Sequence, residues 1–103
     1  MVIDVPKICG EDLISRDAGQ KIRRLILSSW NEPLIELKFN GRLVGSVSFF
    51  DEAIGLLMKK EGKSLDEIKK KLHFPDLLKE DQMLLNYTMN ARIKELPFIA
   101  KHK

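Results

Sequence analysis

The fold is decided by residues 34–39, LIELKF, in which apolar and charged side chains alternate. The apolar positions Ile35, Leu37 and Phe39 recur at every second residue, with a glutamate and a lysine between them. A period of two is typical of a β-strand with one face on a core. The segment therefore predicts a strand, and the segments on either side must supply the elements that cover it.

The segment before this strand predicts an amphipathic helix. Its apolar residues recur at steps of three and four, at Ala18, Ile22, Leu25 and Ile26. Ser15 and Asp17 both carry side chains that can cap a helix N-terminus, and Pro33 cannot continue a helix. We therefore expect a helix of about three turns that ends near Ser29.

The segment after the strand predicts a second helix. Ser48 is its expected N-cap, with Asp51 at the third helical position, and Gly62 is expected just past its end. The apolar face of this helix is predicted to comprise Phe49, Phe50, Ala53, Ile54, Leu57 and Met58. The pair Asn40-Gly41 is typical of a hairpin turn, but residues 42–44 leave little room for a returning strand.

The remaining elements are two strands and two helices. Residues 2–9 predict a strand because they are rich in β-branched residues, and Pro6 in their midst indicates an edge strand or a bulge. Residues 71–74 predict a short strand. A capping box at residues 64–67 opens a short helix, and residues 79–96 predict a long helix that ends at Pro97. The sequence thus predicts one α/β domain over residues 1–103, with a small mixed open sheet of about three to four strands packed by helices.

The positive charge of the chain is concentrated in one segment. The chain has 18 Lys and Arg against 15 Asp and Glu, a net charge of +3, and residues 59–71 hold six lysines against three acids. Lys21, Arg23 and Arg24 could extend this patch for nucleic-acid binding, but no arginine cluster or stacking aromatic accompanies it. We interpret residues 59–71 and the basic tail, residues 98–103, as solvated surface, and keep nucleic-acid association as the alternative function.

The sequence shows no arrangement of residues that is typical of catalysis. His73 and His102 have no cysteine or acid at metal-ligand spacing, so we predict no metal site. Cys9 would need a nearby histidine to act as a nucleophile, and we interpret it as a buried strand cysteine. We therefore predict that the protein is not an enzyme and has no cofactor, with a ligand-binding or catalytic domain that uses Cys9 and Asp51 as a third possibility.

The expected location is cytoplasmic. A single cysteine cannot form an internal disulfide, and no charged-then-apolar leader opens the sequence. The longest uncharged run, residues 82–91, is shorter than the roughly 20 apolar residues that cross a bilayer. We therefore expect no membrane association.

Residues 45–52, which we call the corner, are the candidate functional site of the sequence. It lies where an extended segment is predicted to run into a helix, so its hydroxyls and backbone N–H groups lie at a helix end that favours phosphate. A plain helix cap accounts for the same residues. The candidate partner contacts in the corner are Gly45, Ser46, Val47, Ser48, Phe49, Asp51 and Glu52.

Four segments carry a resemblance to a known family. They are GEDLISRDAGQKI at 10–22, LKFNG at 37–41, SVSFFDEAIGLL at 46–57 and LHFPDLLKED at 72–81. In this order and spacing they resemble the STAS-like domain of unknown function, a bacterial family. The similarity spans residues 2–95, so it covers nearly the whole chain.

The resemblance implies a fold similar to that of the anti-sigma-factor antagonists. In that superfamily a partner kinase of the histidine-kinase-like ATPase type phosphorylates a serine at the start of the helix after a central strand, which switches the partner complex off. Ser48, and next Ser46, match that serine by position. The chain departs from the family pattern at Lys38, where an acid is usual, and in SVSF at 46–49 in place of DSSG. The resemblance thus implies a regulatory, protein-binding module.

Overall fold

A computed structural model describes the backbone of residues 1–101 and the side chains of residues 1–95. Its sheet has three strands in the order β1-β2-β3, and both strand pairs are parallel. The strands are β1 (Val2–Asp4), β2 (Ile35–Lys38) and β3 (Leu72–His73). The predicted central strand is confirmed, and the expected mixed sheet is wrong because helical segments connect all of these strands, which favours parallel pairing.

Helices make up most of the described chain. They are α1 (Val5–Cys9), α2 (Arg16–Ser28), α3 (Val47–Phe50), a π-helical segment (Asp51–Gly55), α4 (Leu56–Lys59), α5 (Leu65–Lys71) and α6 (Lys79–Lys101). Ser15 caps α2 through the N–H of Ala18, and Ser64 and Glu67 form the predicted capping box of α5. Both helix starts are confirmed because their capping signals are local.

Two predicted boundaries are wrong. The strand expected over residues 2–9 ends at Asp4, whose carboxylate accepts a hydrogen bond from the Lys7 N–H and caps α1. Pro6 lies in the first turn of α1, where a missing N–H removes no helical hydrogen bond. The last helix continues through Pro97, since a proline inside a helix removes one hydrogen bond but does not always end the helix. The basic tail, residues 98–103, lies outside the described side chains, and residues 102–103 lie outside the described backbone.

The Asn40-Gly41 turn forms, but no hairpin follows it. Both residues have positive φ, 56° and 74°, and the Arg42 N–H donates to the Phe39 carbonyl at 3.1 Å. The chain then continues as a loop, and carboxylates accept from N–H groups on both sides of the turn. Asp76 accepts from the N–H groups of Phe39 and Asn40 at 2.8 and 2.9 Å.

Three phenylalanines form the centre of the core. Phe39, at the end of β2, is fully buried with Phe49 and Phe50 of α3. The ring of Phe39 lies 6.3 Å from each of the other two, whose centroids are 5.5 Å apart at 82°. Edge-on packing of aromatic rings stabilises the fold by more than the burial of their apolar surface alone does. The sheet and the start of α3 are thereby fixed together, which positions the corner.

Candidate functional site

A buried carboxylate binds the backbone of the loop that leads into the corner. Asp81, in the first turn of α6, is fully buried, and its oxygens accept from the N–H groups of Val44 at 2.7 Å and Gly45 at 2.8 Å. These are charge-assisted hydrogen bonds, the stronger kind. The Gly45 N–H, which the sequence suggested as a phosphate donor, is therefore already occupied by a side chain of this protein.

Ser46, and not Ser48, is the N-cap of α3, so the predicted cap is wrong by two residues. The Ser46 Oγ accepts from the Phe49 N–H at 3.1 Å and donates to the Ile14 carbonyl at 2.7 Å. The second bond joins the loop before α2 to the corner, a tertiary contact that sequence spacing does not show. Ser48 is half-buried in the first turn of α3, and its Oγ makes no hydrogen bond within the described part of the chain.

The two serines are expected to respond differently to alanine. Ser46→Ala removes the cap and the bond to Ile14, so we expect the free energy of unfolding to fall by about 1–2 kcal/mol. Ser48→Ala removes no described hydrogen bond, so the matched change is expected within about 0.5 kcal/mol of zero. Urea unfolding, followed by the fluorescence of the single tryptophan, Trp30, measures both. Equal losses would contradict the assignment of the cap.

The acidic residues of the corner lie in an ion-pair network. Asp51 is only 7% exposed, and its two oxygens accept from Nε and Nη2 of Arg92 at 2.7 and 2.6 Å. Arg16 Nη1 lies 3.3 Å from Asp51 Oδ2 and 3.1 Å from Glu52 Oε2. Sequence analysis missed these pairs, because the arginine partners lie 35 to 41 residues away along the chain.

Arg92 determines the ionisation of Asp51. Burial alone raises the pKa of the Asp51 carboxyl, but the hydrogen bonds and charge of Arg92, followed by those of Arg16, hold this pKa below its ordinary value. The same contacts raise the pKa of Arg92. Asp51 is thus ionised and paired at neutral pH. Its stabilising contribution is complete above its ordinary pKa of 3.8 and is lost as the pH falls through the lower folded-state pKa.

The packing of the corner limits which of its residues can touch a partner. Phe49 is fully buried in the core, so its side chain is not part of the surface, contrary to the partner contact that the sequence suggested. Asp51 is nearly covered, and Glu52 is half-buried against Arg23. Val47 is 39% exposed and remains accessible.

Five exposed apolar side chains lie in the corner or on the segments that adjoin it, and we call them the collar. They are Ile14, Leu43, Val47, Met83 and Tyr87, with exposures from 39% to 66%. Val47 and Tyr87 line one open groove of about 200 Å³, whose charged wall includes Asp51 and Arg92. Exposed apolar side chains that share one surface region mark protein-interaction sites more often than isolated ones do.

Val47 is the one collar residue that sequence analysis named as a candidate contact, and it missed the other four. The Ile14 carbonyl accepts a hydrogen bond from the Ser46 hydroxyl, and Leu43 lies two residues before Gly45. Met83 and Tyr87 are four residues apart, so they share one face of α6. The four-residue spacing was visible in the sequence, but it indicates a binding surface only once α6 is known to lie beside the corner.

Part of the predicted basic patch has structural roles. The Arg23 side chain is 7% exposed, and its Nη1 donates to the Glu52 carbonyl at 2.6 Å. Lys71 Nζ donates to the carbonyls of Trp30 and Glu32 at 2.5 and 3.0 Å. Lys63 and Lys71 both lie about 5 Å from the Trp30 ring centroid. Lys21 and Arg24 stay exposed, as do Lys59, Lys60, Lys69 and Lys70.

The structure offers little support for chemistry at Cys9. The residue ends α1 instead of lying in a strand, it is half-buried, and its thiol faces the Ala18 carbonyl at 3.8 Å. Burial raises the pKa of the Cys9 thiol, which lowers the fraction of reactive thiolate at neutral pH. Among the described residues, no group of three or more His, Cys, Asp or Glu side chains is placed to hold a metal ion.

Within the described part of the chain, none of the helices combines the length and the apolar character needed to cross a bilayer.

Comparison of the sequence and structure with family models, with curated proteins and with solved structures found no match. What the structure itself defines is a small α/β protein with a parallel three-stranded sheet and an apolar collar.

Proposed function

We propose that the protein is a non-enzymatic regulatory module that binds a partner protein through the corner. The observation that carries this proposal is the collar, five exposed apolar side chains in the corner and on the segments that adjoin it. Burying such side chains against a partner is favourable, and a few central residues supply most of the binding energy in such interfaces. Val47 and Tyr87 line the groove and are the best candidates for that role.

The resemblance to the STAS-like family suggests the class of partner, an ATPase of the histidine-kinase-like type, and a phosphorylation switch at Ser48 or Ser46. A phosphoryl group adds a charge of about −1.5 to −2 at neutral pH. Placed beside the collar, this charge would have to lose solvent when the apolar surface is buried, so phosphorylation is expected to weaken the complex.

Purified ATPases of this class from the source organism would test the proposal by direct titration. We expect one of them to bind, and Val47→Ala combined with Tyr87→Ala to weaken binding at least about 10-fold, which corresponds to about 1.4 kcal/mol. Leu34→Ala is the control, because Leu34 is also 39% exposed but directly precedes β2, outside the collar. Absence of binding, or equal weakening by the control, would refute the proposal.

A separate experiment tests the alternative function, nucleic-acid binding. It would be favoured if the protein shifts a DNA duplex or a single strand at low salt and loses that binding steeply as salt rises. Substitution of Lys69 and Lys70, both exposed, would then weaken the shift, whereas the collar variants would not.

A further inference from the structure

We propose that Arg16 binds the phosphoryl group when Ser48 is phosphorylated. This inference rests on the proposed phosphorylation of the corner and adds two assignments to it. It selects Ser48 over Ser46 as the phosphorylated residue, and it identifies the cation that pairs with the phosphate.

Hydrogen bonding separates the two serines. The Ser46 hydroxyl donates its proton to the Ile14 carbonyl at 2.7 Å, and a phosphoester oxygen has no proton to donate. A phosphoryl group on Ser46 would therefore break this bond and place negative charge beside a carbonyl oxygen. The Ser48 hydroxyl has no such bond in the described part of the chain, and its side chain is partly exposed.

Helical spacing places Ser48 beside the side chains that Arg16 already binds. The Asp51 N–H bonds the Ser48 carbonyl, so Ser48 lies one turn before Asp51, and it is four residues before Glu52. Side chains at these spacings have Cβ atoms about 5–6 Å apart. Arg16 Nη1 lies 3.3 Å from Asp51 Oδ2 and 3.1 Å from Glu52 Oε2, so its guanidinium already lies beside the two side chains that neighbour Ser48 along the helix.

Exposure selects Arg16 among the three arginines of the network. Its side chain is 57% exposed, whereas those of Arg92 and Arg23 are 17% and 7% exposed. Arg92 holds both oxygens of Asp51, and Arg23 is bound to the Glu52 carbonyl. If Arg16 moves away, Asp51 keeps Arg92 and Glu52 keeps Arg23, so neither carboxylate is left unpaired.

The phosphoryl transfer itself is an ordinary kinase reaction. The Ser48 Oγ attacks the γ-phosphorus of ATP, and the bond from that phosphorus to the bridging oxygen breaks, so ADP leaves. The hydroxyl proton passes to a base of the kinase. The product dianion can accept two N–H groups of one guanidinium. Arg16 therefore pairs with the phosphate, while Asp51 keeps Arg92 and Glu52 keeps Arg23.

The experiment uses the full chain with phosphoserine incorporated at position 48 during synthesis. Phosphorus NMR over a pH series gives the second pKa of the phosphate, which a nearby cation lowers. We expect Arg16→Gln to raise this pKa by about half a unit or more. Arg24→Gln, which removes an exposed arginine of the same helix, is expected to leave it unchanged.

The outcomes separate this inference from the proposed function. Identical titrations with and without Arg16 would overturn the pairing, even if phosphorylation regulates the partner. A pKa that depends on Arg16 supports the pairing, even if no ATPase binds the collar. Phosphoserine at position 46 tests the choice of serine, because it is expected to lower the urea midpoint more than phosphoserine at 48, and the reverse order would overturn that choice.

Discussion

Gly19→Ala is expected to lower the free energy of unfolding by about 2–3 kcal/mol. Gly19 lies in α2 where that helix meets the corner, and an added Cβ would lie 2.8 Å from both the Phe49 carbonyl oxygen and the Glu52 Cβ. One of these is backbone, which cannot rotate away. The helix would have to move, and this movement would disturb the Arg16 and Arg23 contacts with Glu52.

Equilibrium urea unfolding of the Gly19 variant checks this expectation. In an uncrowded helix interior, alanine is more favourable than glycine by about 1 kcal/mol, so the predicted sign is opposite to the usual one. Gly62→Ala is a useful comparison, because a Cβ there meets nothing within 4 Å and the cost comes only from its φ of +68°. A stabilised Gly19 variant would show that α2 does not approach α3 and the π-helical segment so closely.

Asp81→Asn is expected to cost about 2–4 kcal/mol of stability. The carboxylate accepts from two backbone N–H groups while fully buried. An asparagine amide offers one oxygen and turns its own N–H₂ toward the second donor, so one bond is replaced by a repulsive contact. The loop that enters the corner would be released with it.

Glu80→Gln is the matched control for Asp81→Asn. Both residues are acids in the first turn of α6, so both substitutions remove one negative charge from the same helix end. Glu80 is exposed, and its change is expected to stay within about 0.5 kcal/mol. Equal urea midpoints for the two variants would contradict the role assigned to Asp81.

The elements with local signals were predictable from sequence. Alternation over LIELKF identified β2, and the Ser15 and Ser64 caps gave the starts of α2 and α5. The helix at Val5–Cys9 also had a local signal, because Asp4 is a good N-cap and Pro6 favours a first turn. The β-branched residues around Pro6 outweighed that signal and led to the wrong strand.

The candidate site was predictable only in part, because long-range contacts decide it. Ser46 and Ser48 both satisfy the capping pattern, and it is Ser46 that bonds the distant Ile14 carbonyl. The partner of Asp51, Arg92, lies 41 residues later, and no periodicity relates the two. Tyr87 is an ordinary exposed residue of α6 until the fold brings it to the groove beside Val47.

The carboxylates that hold the loop also set the order in which this protein can fold. Asp76 and Asp81 bind residues that lie 36 or 37 positions earlier in the chain, and β3 must cross over before it can pair with β2. Contacts of such long range form slowly, because loop closure precedes any gain from them. The corner therefore cannot take its final shape until residues 76–81 have been synthesised and have folded back onto it, so a shorter nascent chain lacks the surface that a partner would recognise.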